Sequence, residues 1–363
     1  MRIVHTEASC GWGGQEIRIL TEARGLIARG HEVNLLCPAE APIFAEAARY
    51  GVPAQALPIG RRSWRGLLAL RRYLATHRVD VINSHSSTDS WLAALACLFH
   101  RDAPPIVRTR HISAAVPDNA ATRWLYLRAT RHIVTTGTKL KAQLVADNGF
   151  PAARITSVPT GIDTRRFCPA DRSAARRELG LDENTRLLGI VATLRSWKGH
   201  DDLLDAFARL AAPEAQLLIV GDGPRRQALE EKTKAMGLGR RVRFTGQQRN
   251  PERWLQALDI FCLPSYANEG VPQALLQAML VGLPIVTTPI GSITEAIVDH
   301  ETGLIVPPRD TAALAQALAR LIADPELAAR LGTAACVKAR AQFGLETMLD
   351  RMEAVFAAAV QPV

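Results

Sequence analysis

A chain of 363 residues is long for one domain and sufficient for two, each large enough to bury its own core. Its composition, 48% hydrophobic and 22% charged, excludes a disordered or low-complexity protein. No apolar run reaches the ~18 residues that a membrane-spanning helix requires. The formal charge of +9 sits in one half: residues 1–165 hold 21 Lys and Arg against 12 Asp and Glu, whereas residues 166–363 hold 23 against 23.

Such asymmetry points to an anionic partner for the first half: nucleic acid, a membrane surface or a phosphorylated substrate. With 38 Arg and 6 Lys the chain is also simply rich in arginine, and a solvated basic face fits equally. Cys10, Cys37, Cys97, Cys168, Cys262 and Cys336 are scattered without CxxC spacing or a histidine cluster, which argues against zinc and against a disulfide framework. The start, Met-Arg-Ile-Val-His, enters a strand with no h-region, so a cytoplasmic protein with at most peripheral contact to the inner face of the membrane is expected.

In chain order, short β-branched runs predict strands at 2–5, 32–37, 79–85, 105–110, 132–135 and 155–158, then at 187–194, 216–221, 242–245, 260–263, 284–288 and 303–306. Between them, 15–29, 202–210, 224–236 and 311–323 carry apolar residues three and four apart, the period of a helix with one buried face. Strand-helix alternation repeated twice predicts two parallel, doubly wound α/β sheets. Pro and Gly bracket a connector at 158–169. The expected divisions are therefore a first Rossmann-like domain over 1–165, a second over 166–344, and a final helix within 345–363 that packs back toward the first domain.

Ligands of open α/β sheets bind at the carboxyl ends of strands, which singles out four loops. Cys10-Gly11-Trp12-Gly13-Gly14-Gln15-Glu16 follows the first strand and opens a helix, where Gly13 and Gly14 would let backbone N–H groups approach a phosphate. Glu16 at the third glycine position and Cys37 at the end of the second strand argue against a dinucleotide fingerprint. Arg195 and Lys198 share the loop after 187–194, a placement suited to a diphosphate whose charge grows as it leaves. Gly221-Asp222-Gly223-Pro224 could admit a nucleotide against the backbone, or be only a tight turn. In Glu269-Gly270-Val271-Pro272, Pro272 suits the first turn of a helix; the N–H groups of Gly270 and Val271 would face a phosphate, and Glu269 a sugar hydroxyl. A helix-start carboxylate stabilised by the helix dipole is the plainer alternative for Glu269.

Glu-Gly-Val-Pro followed by an apolar helix and by Gly282-Leu283-Pro284-Ile285-Val286-Thr287-Thr288 resembles the nucleotide-sugar signature of the family-four retaining glycosyltransferases. The Lys198-Gly199 loop, Gly221-Asp222-Gly223-Pro224, Pro159-Thr160-Gly161-Ile162-Asp163 and Glu295 through Gly303-Leu304-Ile305-Val306 resemble the same family in order and spacing. The resemblance implies a GT-B fold, two Rossmann-like domains facing across a cleft, with 1–165 binding the acceptor and 166–344 the nucleotide sugar, and transfer of a sugar from a nucleoside diphosphate to an acceptor hydroxyl. By it, Glu269 contacts the donor sugar, and Arg195, Lys198, Gly270 and Val271 contact the diphosphate. Gly13 and Gly14 approach that phosphate from the other domain, Gly221 and Gly223 lie along the nucleotide, and His111 lies near the reaction centre. Two positions depart from the pattern: Gln277 stands where a ribose-binding glutamate is usual, and an amide cannot serve two hydroxyls as a carboxylate does. Thr160 stands where Asn is common.

No cofactor beyond the sugar nucleotide is implied, a UDP-sugar being the donor expected, and no acidic pair suited to a metal is seen. The expected partners are that donor and a glycan or glycolipid acceptor, the basic half tilting toward lipopolysaccharide or another anionic surface glycan. Two stretches, 61–73 and 123–128, interleave Arg with Trp, Tyr and Leu, as a helix on an anionic membrane would, although ordinary surface helices look alike. A sugar-nucleotide epimerase of the same fold is the alternative activity. A nucleic-acid-binding protein would explain the pI of about 9.6, but no recognition motif is present and nucleic acid is not expected as a partner.

Overall fold

A computed structural model describes all residues except Phe99, Arg101, Ser113, Asn268, Pro362 and Val363. The chain divides into one unit made of Met1–Gly161 with Leu345–Val363, and a second made of Ile162–Gly344. Asn268, just ahead of the Glu269 motif, and the last two residues of the expected terminal segment lie outside the described residues.

The first unit holds strands β1 (Arg2–Thr6), β2 (Glu32–Cys37), β3 (Ala54–Ala56), β4 (Val81–Ser84), β5 (Ile106–Arg110), β6 (His132–Thr135) and β7 (Ile155–Ser157). They form one parallel sheet in the order β3-β2-β1-β4-β5-β6-β7. The second holds β8 (Leu187–Val191), β9 (Gln216–Val220), β10 (Val242–Gly246), β11 (Ile260–Leu263), β12 (Ile285–Thr287) and β13 (Leu304–Ile305), also all parallel, in the order β10-β9-β8-β11-β12-β13. Both orders reverse direction beside the first strand of the unit, which is where a doubly wound sheet opens its ligand crevice.

The fold class is as expected and the predicted strands are present: β2, β6 and β11 have the predicted ends, β1 and β10 run one residue longer, and the others are shorter by one to three residues at one or both ends. Ala54–Ala56 is a strand that the sequence did not suggest, because Ala-Gln-Ala has neither β-branched residues nor an apolar run; pairing with β2 makes it extended. Pro272 is the residue capping the helix Gln273–Val281 rather than part of its first turn.

The final helix, Leu345–Val360, buries Met348, Leu349, Met352, Val355 and Phe356 in the first unit's core beside Ile19, Leu20 and Ala23 of the helix Gly14–Ala28. At its edge Arg29 pairs with Glu346, Asp350 and Glu353, and His31 pairs with Glu353 at 2.7 Å. In the second unit Asp259 is the buried anchor at the start of β8: it takes Arg176 and the Leu187 N–H, each at 2.7 Å, along with Arg172.

Candidate active site

In the second unit the loops after β8, β9, β11 and β12 meet at the carboxyl edge of the sheet, and close backbone contacts hold them together. Gly199 has φ +75 and lies so close to the Pro264 carbonyl that a Cβ would overlap it. Gly291, at φ +57, is pressed in the same way beneath the carbonyl of Glu269. Left-handed backbone with no room for a side chain is a requirement only glycine meets without strain. These two contacts bring the Lys198 loop to the β11 tip and support Glu269 from behind.

Lys198 Nζ and Glu269 Oε1 consequently meet at 2.6 Å, and Ser265 Oγ donates to the same carboxylate oxygen at 2.6 Å. The Glu269 side chain is 5% exposed and that of Lys198 19%, so the pair sits in a partly dehydrated pocket where charge-assisted bonds are strong. Val271 is buried and Gly270 half-buried directly beside them. Arg195 is exposed on the same loop, its guanidinium 5.3 Å from the Trp197 ring centre. Gln277 is half-buried on the helix Gln273–Val281. The close approach at Gly221 and Gly223 is to the chain itself: a Cβ on either would strike the backbone of Ala192 or Leu194, and Leu194 donates to the Asp222 carbonyl at 3.0 Å. Those glycines are thus explained by loop packing.

In the first unit Gly13 caps the helix Gly14–Ala28, with Glu16 in its first turn and 5% exposed. Glu7, fully buried one residue past β1, accepts from the Ser9 N–H at 2.7 Å and from the Gln15 amide. Burial, with the charge of Asp89 and Glu16 added, pushes the Glu7 carboxyl up to about 8. The Glu16 carboxylate lies beside Gly11 and Gly13 of the glycine loop.

His111, one residue past β5, is half-buried and does not stand alone. Its Nε2 lies 3.0 Å from His85 Nδ1, and His85 Nε2 lies 2.9 Å from His5 Nδ1. Burial lowers the pKa of all three, that of His5 to about 3, with the Arg18 guanidinium adding to it. Beneath this row, buried Arg18 pairs with Glu22 at 3.5 Å and donates to the Val158 carbonyl at 2.7 Å and to Thr160 Oγ1 at 3.4 Å. Asn83 joins Glu22 to Thr109. Thr160, the departure from the family pattern, is thus a partner of Arg18. Sequence reasoning missed His5, His85 and Glu7 as site candidates.

Two family models cover most of the chain: Glycosyltransferase Family 4 over residues 12–166, and Glycosyl transferases group 1 over residues 171–337. The D-inositol 3-phosphate glycosyltransferase of Kribbella flavida is 30% identical over 78% of this chain and 72% of its own length. This chain belongs to the group 1 glycosyltransferases. It is 34% identical to the lipopolysaccharide core biosynthesis mannosyltransferase LpsB of Rhizobium meliloti, over 51% of this chain and 57% of that protein. Its fold matches that of the Anabaena protein HepE, solved with UDP and glucose, at a TM-score of 0.85 and 20% identity, covering 99% of this chain and 100% of HepE. The protein is thus an enzyme of GT-B architecture, a glycosyltransferase whose two units are both Rossmann-like.

Proposed function

We propose that this glycosyltransferase moves a sugar from a nucleoside diphosphate, with UDP as the carrier, to a hydroxyl of an anionic surface-glycan precursor of the lipopolysaccharide type, with retention and without a metal. The observation that carries the reading is the 2.6 Å contact of Lys198 with Glu269 at adjoining strand tips. A cation suited to a leaving phosphate and a carboxylate suited to a sugar hydroxyl are held side by side. The UDP and glucose of HepE and the name of LpsB support the donor and the acceptor class.

In this mechanism the bond from the anomeric carbon to the diphosphate oxygen breaks as the acceptor oxygen bonds to that carbon on the same face, and the acceptor proton passes to the departing phosphate. The transition state separates a cationic sugar from an anionic diphosphate. Lys198, Arg195 and the N–H groups at Gly270 and Val271 answer the growing negative charge, while Glu269 orients the sugar. Gln277 takes one ribose hydroxyl. By the family resemblance, His111 serves the reacting sugar.

Lys198→Ala and Glu269→Ala are each expected to lower kcat on the order of a hundredfold or more, the scale of a lost transition-state contact, with circular dichroism unchanged. Near-normal turnover in both folded variants would overturn the reading. EDTA is expected to leave the rate of the natural enzyme unaltered.

A peripheral membrane location belongs to the same proposal. No described helix is long and apolar enough to cross a bilayer. On the helix Trp64–Thr76, however, Trp64 is 80% exposed and Leu68, one turn on, 62% exposed, with Arg61, Arg62, Arg65, Arg71 and Arg72 exposed around them. The second stretch offers no such face: Leu125 and Tyr126 are buried and Trp124 stacks on Trp91.

A further inference from the structure

Three histidines from three neighbouring strands stand nitrogen to nitrogen, at 2.9 and 3.0 Å, and the outermost is the His111 of the proposed reaction centre. Neutral imidazole carries one N–H and one lone pair, so the row can run in only two senses. In one, every ring is protonated at Nδ1: His5 donates to His85, His85 donates to His111, and His111 is left with its own Nδ1–H to offer. In the other, every ring is protonated at Nε2, the donation runs inward, and His5 ends the row with an Nε2–H. His5 is fully buried and its Nε2 meets no hydrogen-bond partner among the described residues.

A buried N–H without an acceptor is among the least tolerated groups in a protein, whereas an unused ring lone pair costs less. The ring centres are 5.2 Å apart in both pairs, with His5 and His85 7° from parallel and His85 and His111 tilted by 35°, so the rings meet edge to edge with their nitrogens in line.

We infer that His5 and His85 are positioning residues that lock His111 as its Nδ1–H tautomer, so that His111 meets the substrate as a hydrogen-bond donor and not as a base. The inference rests on the placing of His111 at the reaction centre for its consequence, but the tautomer itself does not depend on that reading. A donor suits an electronegative oxygen of the sugar or the acceptor hydroxyl; it cannot take up the acceptor proton, which the mechanism above sends to the departing phosphate.

The test is ring-nitrogen NMR on the full-length protein labelled with ¹⁵N-histidine, together with kinetics of two variants. The natural protein is expected to show the three rings of the row protonated at Nδ1, the minority form of free histidine. His5→Leu removes the first donor of the row and should release His111 into a mixture of tautomers, with kcat falling roughly tenfold to a hundredfold, the scale for partners that orient a functional histidine, and donor KM unchanged. His5→Asn keeps an amide N–H near the position of Nδ1 and should restore both the tautomer and the rate.

Nε2–H signals from the three rings of the natural protein would overturn the inference, as would a His111 tautomer unmoved by His5→Leu. Should His5→Leu not fold, the natural protein and His5→Asn still decide the sense of the row. If the tautomers are as expected and no acceptor is glycosylated, the row stands and the proposed function fails.

Discussion

Glu7 and the histidine row place opposed demands on pH at the residue scale. Between the ordinary carboxylate value of 4.5 and about 8, the folded protein keeps a proton on Glu7 that the unfolded chain has released, so this residue's contribution to stability falls as pH rises through that window. His5 acts in the opposite sense: below 6.5 the unfolded chain binds a proton that the folded chain refuses until about 3, and stability is lost as pH falls. Glu7→Gln keeps an acceptor for the Ser9 N–H and removes one of the two titrations. Its melting temperature relative to the natural protein is expected to rise steadily from pH 5 to pH 8; a constant difference across that range would show that Glu7 is not protonated. None of this was readable in Met-Arg-Ile-Val-His-Thr-Glu, where His5 and Glu7 appear as ordinary strand-end residues. A buried titratable group announces itself only through what surrounds it.

At the scale of elements, the strand tips of the second unit were legible because their chemistry is local. Arg195, Lys198 and Glu269 lie in loops whose Gly and Pro residues mark them as strand-to-helix turns, and the helix Gln273–Val281 begins where the pattern places it, one residue aside. The contact between Lys198 and Glu269 was not legible, since it spans 71 residues of sequence and depends on Gly199 and Gly291 letting backbones touch. The helix Trp64–Thr76 shows the same limit from the other side. Its sequence and that of 123–128 look alike, and only burial separates Trp64 and Leu68, which face solvent, from Leu125 and Tyr126, which do not. Sedimentation with vesicles rich in anionic lipid is expected to carry the protein down at low salt and release it at high salt. Trp64→Ser with Leu68→Ser should abolish most of the binding with kcat on a soluble acceptor unchanged. Equal binding by this variant would remove the helix from consideration.

For the molecule as a whole, the first unit is built from two stretches of chain, and Phe356 is the largest side chain that its returning helix buries completely. Phe356→Ala is expected to destabilise that unit by about 3–5 kcal/mol, the usual cost of emptying a large buried aromatic site. Hydrogen exchange should report it as loss of protection in β1 and β2 with little change in β8 and β9. Uniform loss across both sheets would mean that the units unfold together. The sequence alone determined the two sheets, their parallel strands, the positions of the strand-tip loops and the family, because periodicity and loop glycines act over a few residues. It determined nothing of strand order. The sheet places β4 between β1 and β5, and that order alone sets His85 between His5 and His111. Hydrogen bonds across a sheet join residues that the chain keeps far apart, here 80 and 26 positions, so the histidine row exists only once the fold has been made.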